Sequence, residues 1–153
     1  MRTREIAASE STIVRRAPST AVVDRVVCEL RPMLERYGVS AVLALLNART
    51  RYRFTGVYRM EPPLLRNVHL YDRENPSLDG SGGSDPLVAP DAMLSSLGVP
   101  IRGADGRVSG TLCHHDARPR LLPTGEELVL ARVATAFAAQ LLAPPSRRGR
   151  RGE

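Results

Sequence analysis

The sequence contains no lysine, no tryptophan and only two cysteines, and no apolar run approaches the length of about 20 residues that a membrane-spanning helix requires. We therefore expect no membrane partner. Cys28 and Cys113 are too few and too far apart in the sequence to form the disulfide framework of a small secreted domain. Residues 1–16 also lack the apolar stretch of a secretory signal, so we expect a cytoplasmic protein with reduced thiols.

The net charge of +6 is carried mainly by the two ends of the chain, and every basic residue is arginine. Residues 147–153 contribute +3 and residues 1–16 contribute +2, which leaves +1 for the rest. A nearly neutral body with basic ends argues against a nucleic-acid-binding face on the folded part. A nucleic-acid partner is therefore not expected.

The chain length of 153 residues favours one domain with a sizeable core. Residues 1–18 are polar and aperiodic, which predicts a flexible N-terminal arm. Residues 19–143 carry the periodic apolar patterns of a folded domain. Residues 144–153 are rich in arginine, proline and glycine, which predicts a disordered basic tail.

The folded part begins with a helical pattern. Its apolar residues recur at helical spacing: Val22, Val23, Val26, Val27, Leu30 and Leu34. Ser19 or Thr20 is placed to cap this helix, Gly38 to end it, and Pro32 to kink it. The following segment "VSAVLALLN" is short and apolar on all sides, which favours a buried central strand.

Two antiparallel hairpins are expected after the first helix. In "TRYRFTGVYRM", Tyr52, Phe54 and Tyr58 alternate with the residues of the other face, which predicts a strand paired with "VSAVLALLN". "LGVPIR" and "RVSGTLCHH" flank an Asp105-Gly106 pair that suits a tight turn. Residues 61–76 carry no firm pattern, and "SLDGSGGSDP" has the composition of a flexible loop.

A long C-terminal helix is predicted from residue 125 onward. Thr124 and Glu127 form the pattern of a capping box. Its apolar stripe consists of Val129, Val133, Phe137, Ala138 and Leu141. The order of elements predicts an α+β fold, in which an antiparallel sheet carries the N- and C-terminal helices on one face.

The cluster "CHHD" at residues 113–116 invites a metal or thiol-catalysis hypothesis. On a strand, however, Thr111, Cys113 and His115 point to one face while Leu112 and His114 point to the other. A zinc site needs three or four converging ligands, and a catalytic Cys–His pair needs contact within about 4 Å. We therefore expect no metal site and no catalytic residue, and Cys113 is interpreted as a half-buried strand residue.

The segment "GVPIRGADGRVSGTLCHHD", followed by a proline and a long helix, resembles the C-terminal half of a GAF domain. "RYRFTGVYRMEPPLLRNVHLYDRENP" resembles the N-terminal half of small stand-alone bacterial GAF proteins. Together the two matches cover residues 20–142 and imply a GAF/PAS-like fold with a sensory, ligand-binding function. The chain departs from the family at His115, where an aromatic residue is usual, and between Ser77 and Leu97, where the segment that usually forms the pocket lid is shortened.

The resemblance implies a non-catalytic signalling domain that binds a small molecule on the sheet face opposite the terminal helices. The candidate ligand-binding residues are Phe54, Tyr58, Arg66, Asp72, Arg73, Asn75, Thr111, Cys113 and His115. The short lid segment further predicts that this face is open to water. No chromophore-attachment or cyclic-nucleotide motif is present, so the cofactor is left unknown.

Two alternatives of a different class stay open. One is a thiol-dependent enzyme of the free methionine sulfoxide reductase kind, although Cys28 is expected to pack behind the sheet and Cys113 has no neighbouring thiol. The other is a dimerisation module with a degenerate pocket. Dimerisation is also compatible with the sensory function, because the wide apolar stripe of the C-terminal helix predicts a homodimer through the terminal helices.

Overall fold

The computed structural model describes residues 19–76, the backbone of residues 87–88, and residues 95–145. The predicted N-terminal arm, most of the predicted tail and most of the shortened lid segment lie outside these residues. Within the part that is described, no helix is long and apolar enough to cross a membrane.

The first helix, α1, spans Thr20–Tyr37 and is capped as the sequence predicts. The side chain of Ser19 accepts a hydrogen bond from the amide of Val22, which satisfies one of the free N–H groups of the first turn. At the other end Gly38 has a φ of 85°, a left-handed value that side chains disfavour and glycine adopts readily. Pro32 lies inside the helix without ending it.

The segment predicted as a central strand is a second helix, α2, at Val39–Asn47. The strand prediction and the hairpin drawn from it are therefore wrong. The apolar composition has a physical cause, because α2 is enclosed by the core, with Val42, Leu43 and Leu46 fully buried. A short buried helix and a short buried strand give the same uniform apolar pattern, and here the helix-favouring alanines and leucines decide.

In the described part of the chain, five antiparallel strands form one sheet in the order β3-β2-β1-β5-β4. Their bounds are Phe54–Glu61 for β1, Leu64–Asp72 for β2, Leu87–Val88 for β3, Ser95–Arg102 for β4 and Val108–Asp116 for β5. The partner of β1 in its hairpin is thus β2, the segment that carried no firm pattern. The β4–β5 hairpin turns at Gly106, whose φ of 81° fits the predicted Asp-Gly turn.

The C-terminal helical region begins later than predicted and is interrupted. Helix α3 spans Glu126–Ala136 and helix α4 spans Ala138–Leu142, with Phe137 between them outside helical geometry. Thr124 is not the N-cap; Gly125 takes that place with a φ of 81°, and no side chain caps the first turn. The capping-box prediction is wrong because the N-cap lies one residue later than predicted, at a glycine that has no side chain to accept the hydrogen bond.

The helices share one face of the sheet, which confirms the predicted α+β architecture. Their core residues pack against Val57, Val99, Ile101 and Leu112 from three strands. The apolar stripe that motivated a homodimer lies against this core: Ala138 is partly buried, and the other four residues are at most 1% exposed, namely Val129, Val133, Phe137 and Leu141. A dimer through these helices would have to use other residues, such as Val22 and Leu128, each 45% exposed.

Candidate functional site

The sheet face opposite the helices brings together five of the predicted site residues. In the pairing of β1 with β5, Phe54 lies opposite His115, Gly56 opposite Cys113, and Tyr58 opposite Thr111. Directly opposite residues of an antiparallel pair point to the same side, so all these residues share one face, here called the outer face. The structure therefore confirms that Cys113 and His115 point to one face of β5, whereas Leu112 and His114 point to the other.

His115 is the centre of an aromatic cluster on the outer face. Its ring stacks on Phe54, with centroids 4.9 Å apart and an interplanar angle of 18°. Its Nε2 is 2.8 Å from the hydroxyl of Tyr58. Gly56 makes this reach possible, because a Cβ there would lie only 2.9 Å from the Tyr58 ring.

Burial keeps this cluster neutral near physiological pH. Desolvation lowers the pKa of His115 to about 4, an effect that nearby Asp116 opposes and His114 reinforces. Desolvation likewise raises the pKa of Tyr58, with a smaller contribution from Cys113. The outer face thus carries a neutral imidazole and a neutral, buried phenol, and the guanidinium of Arg53 lies over the Phe54 ring, 4.7 Å from its centroid.

Cys113 is buried rather than half-buried, at 3% exposure, beside Tyr58 and Leu65. Tyr58 is also 3% exposed, so the expectation of an outer face open to water is wrong for both residues. Burial raises the pKa of the Cys113 thiol to about 12. A thiol that stays protonated is a poor nucleophile.

Thiol labelling of the native protein is expected to modify Cys28 and to spare Cys113. Cys28 is exposed on α1, contrary to the expectation that it packs behind the sheet, whereas Cys113 is buried and its pKa is raised. Mass spectrometry after brief iodoacetamide treatment at mildly alkaline pH should show one modified thiol, and two after denaturation. The Cys28→Ser variant should remain unmodified until it unfolds. Equal labelling rates of the two native thiols would contradict the burial of Cys113.

The other predicted site residues are not all gathered at this face. Arg66 lies opposite Arg59, on the helix side of the sheet, and pairs with Glu61 at 2.7 Å. Asp72 ends β2 opposite Phe54, at the rim of the outer face. Arg73 and Asn75 follow in an exposed turn, and only Arg73 lines the cleft described below. The structure therefore separates Arg66 and Asn75 from the aromatic cluster.

A buried polar chain on the helix side escaped the sequence analysis. Asn47 Nδ2 donates to Thr55 Oγ1 at 2.9 Å, and Thr55 Oγ1 is 2.7 Å from His114 Nδ1. His114 Nε2 is 2.9 Å from Glu126 Oε2, and Arg49 donates to the other oxygen of that carboxylate at 3.0 Å. The sequence feature that could have revealed this network is His114, because a polar side chain on an apolar strand face requires a buried hydrogen-bond partner.

In this hydrogen-bonded network a hydroxyl, an imidazole and a carboxylate follow one another, as they do in a catalytic triad. Thr55, His114 and Glu126, however, are each 0% exposed, so no substrate reaches the hydroxyl. The network instead connects α3 to strands β1 and β5 through buried hydrogen bonds. Among residues 19–76 and 95–145, no group of three or more histidine, cysteine or carboxylate side chains is placed to hold a metal ion.

A cleft of about 930 Å³ opens where β1 begins and where β2 and β5 end, here called the strand-end cleft. Its lining residues are Thr50, Arg51, Arg53, Phe54, Arg73, Glu74, Asp116, Ala117, Arg118 and Arg120. Phe54 belongs both to this cleft and to the aromatic cluster of the outer face. The two features are therefore neighbours.

Comparison with known proteins agrees with this architecture. A protein-family model, the GAF domain, matches residues 11–142, which is most of the chain. A comparison with curated proteins gives no significant match. The antiparallel sheet, its helical layer on one face and the extent of the family match lead to one conclusion: the chain belongs to the GAF domain family.

Proposed function

We propose that this protein is a non-catalytic sensory domain that binds a small molecule on the outer face of its sheet. Membership of the GAF family suggests a sensory or ligand-binding regulatory domain. The observation that carries the finer proposal is the cluster in which His115 contacts both Phe54 and Tyr58. Such a cluster, neutral and away from the helices, suits an apolar or aromatic ligand.

The exposure of the outer face supports a shallow site with a fixed floor. Tyr58 and Cys113 are buried and hold the floor, while Phe54, Thr111 and His115 are partly exposed and accessible to a ligand. Thr111 donates its hydroxyl hydrogen bond to the carbonyl of Val99, so its side chain is oriented by the sheet. A ligand would therefore contact mainly His115 and the Phe54 ring, beside the Arg53 guanidinium that lies over that ring.

The thiol-enzyme alternative is disfavoured by the positions of the two cysteines. Cys28 is exposed on α1, in the helical layer, whereas Cys113 lies on the outer face of the sheet. A resolving pair must bring its sulfur atoms within bonding distance, and the sheet separates these two. The dimerisation alternative retains the exposed residues Val22 and Leu128 as its candidate contacts.

Variants of His115 are expected to decide the proposal. We expect nuclear magnetic resonance with a library of neutral aromatic fragments to give binders whose shift changes map to β1 and β5 around His115. His115→Ala removes the ring and should weaken such binders by about tenfold, the worth of one aromatic contact. His115→Phe keeps a stacking ring and should bind more tightly than His115→Ala.

The control for these variants is Ser109→Ala, which changes the same strand away from the cluster, and it should bind as the wild type does. Binders that map to the helical layer, or that bind His115→Ala and the wild type equally, would contradict the outer face as the site. A library with no binder at this face would count against the proposal in the same way.

A further inference from the structure

We propose that the strand-end cleft is a second binding site, which takes a small phosphate-bearing anion. This inference goes beyond the outer-face proposal and does not depend on it, since the two sites use different chemistry. The outer face offers neutral rings, whereas the cleft is lined by five arginines: Arg51, Arg53, Arg73, Arg118 and Arg120.

One carboxylate organises the floor of this cleft. Asp116, at the end of β5 and 5% exposed, accepts hydrogen bonds from the backbone amides of Arg53 and Arg118 at 3.0 and 3.1 Å. It also accepts one from the side chain of Arg120 at 3.0 Å. Burial alone would raise the pKa of Asp116, but these hydrogen bonds together lower it, so the carboxylate stays charged. Asp116 thereby fixes the start of β1 and the loop after β5.

A second carboxylate, that of Asp72, holds the side of the cleft formed by the end of β2 and the turn after it. The guanidinium of Arg53 binds Asp72 through two hydrogen bonds of 2.9 Å and approaches Glu74 at 3.2 Å. The amide of Arg73 donates to the carbonyl of Arg53 at 2.9 Å. The backbone on both sides of the cleft is therefore held by hydrogen bonds before any ligand arrives, which lowers the entropy cost of binding.

The charges of the cleft do not balance. Its five arginines face Glu74 and Asp116 in the lining and Asp72 behind Arg53, an excess of two positive charges. Arg51, Arg73 and Arg118 are exposed, and within the described part of the chain no carboxylate lies within ion-pair distance of any of them. Three guanidinium groups that have no carboxylate partner among the described residues surround one concave space, and they favour an anion there.

Arginine and the shape of the cleft together point to a phosphate on a small molecule. The guanidinium fork matches the oxygens of a phosphate with two parallel hydrogen bonds. A volume of about 930 Å³ accommodates a small organic molecule as well as the phosphate itself. Nucleic acid is disfavoured because residues 17–146 together carry a net charge of only +1.

Calorimetric titration with inorganic pyrophosphate at low ionic strength tests the site in the full-length chain. We expect saturable binding to the wild type that weakens as salt is added. The side-chain Nε–H signals of Arg51, Arg73 and Arg118 should shift on binding, a readout that requires no variant. Citrate and a short single-stranded oligonucleotide serve as the competing anions.

Two charge-matched double variants locate the binding. In Arg51→Gln/Arg118→Gln, two unpaired cleft arginines are removed, and binding should weaken by about a hundredfold, roughly tenfold for each charge-assisted hydrogen bond. In Arg25→Gln/Arg107→Gln, two exposed arginines outside the cleft are removed, and binding should stay near the wild-type value. Arg73→Gln alone should show an intermediate loss.

Several outcomes would overturn the proposal. Equal weakening in the two double variants would indicate general charge attraction instead of a site. No binding of pyrophosphate to the wild type, or no shift of the three arginine signals, would exclude the cleft. Citrate binding as tightly as pyrophosphate would overturn the assignment to phosphate. Tighter binding of the oligonucleotide through the same arginines would show that the partner is nucleic acid rather than a small molecule.

Discussion

Replacing Glu126 with alanine is expected to lower the free energy of unfolding by about 2–3 kcal/mol, the cost of leaving a buried hydrogen-bonding group without its partner. The Glu126 carboxylate is 0% exposed and binds His114 at 2.9 Å and Arg49 at 3.0 Å. Without it, the Nε2 of His114 loses its partner in a space that water does not reach. Urea unfolding followed by circular dichroism measures the loss.

Glu127→Ala is the matched control, because Glu127 is the next residue of the same helix but is exposed. This variant should change the free energy of unfolding by no more than about 0.5 kcal/mol. Replacing His114 and Glu126 together by leucine should cost less than the sum of the two single changes, because no polar group of the pair is then left unpaired. Similar, small losses for Glu126→Ala and Glu127→Ala would contradict the buried network.

The Gly110→Ala variant is expected to lose about 3 kcal/mol of stability through overpacking at the centre of the sheet. A Cβ on Gly110 would overlap the backbone carbonyl oxygen of Tyr58 on the neighbouring strand and lie 3.0 Å from a methyl group of Leu142. Backbone atoms cannot rotate away as a side chain can, so β1 and β5 would have to separate locally. Thermal and urea unfolding should both show the loss.

Ser109→Ala is the control that shows whether the loss of stability comes from the contact of Gly110 with Tyr58 or from any substitution in this part of β5. Ser109 precedes Gly110 on β5, is half-buried, and makes only a long hydrogen bond of 3.4 Å with the carbonyl of Arg107. We expect a change within about 0.5 kcal/mol. Wild-type stability of Gly110→Ala would mean that β5 is not held as closely against β1 as the structure places it.

Several features governed by neighbouring residues were determined by the sequence alone, although the capping box predicted at Thr124 was not among them. Ser19 caps α1 through an amide three residues away, and Gly106 supplies the positive φ of the β4–β5 turn. The alternation along β5 assigned Cys113 and His115 to one face and His114 to the other, which the structure confirms. These are local interactions, so a single sequence contains all the information they require.

Tertiary packing decided the remaining features. The apolar composition of α2 predicted that this segment is buried, but which helices and strands it packs against was decided by the tertiary structure. The partners of His114 and the arginines of the strand-end cleft come from segments far apart along the chain. Periodicity reports which face a residue occupies, but the residue it meets across that face depends on how the elements pack, and that is fixed only when the whole core forms.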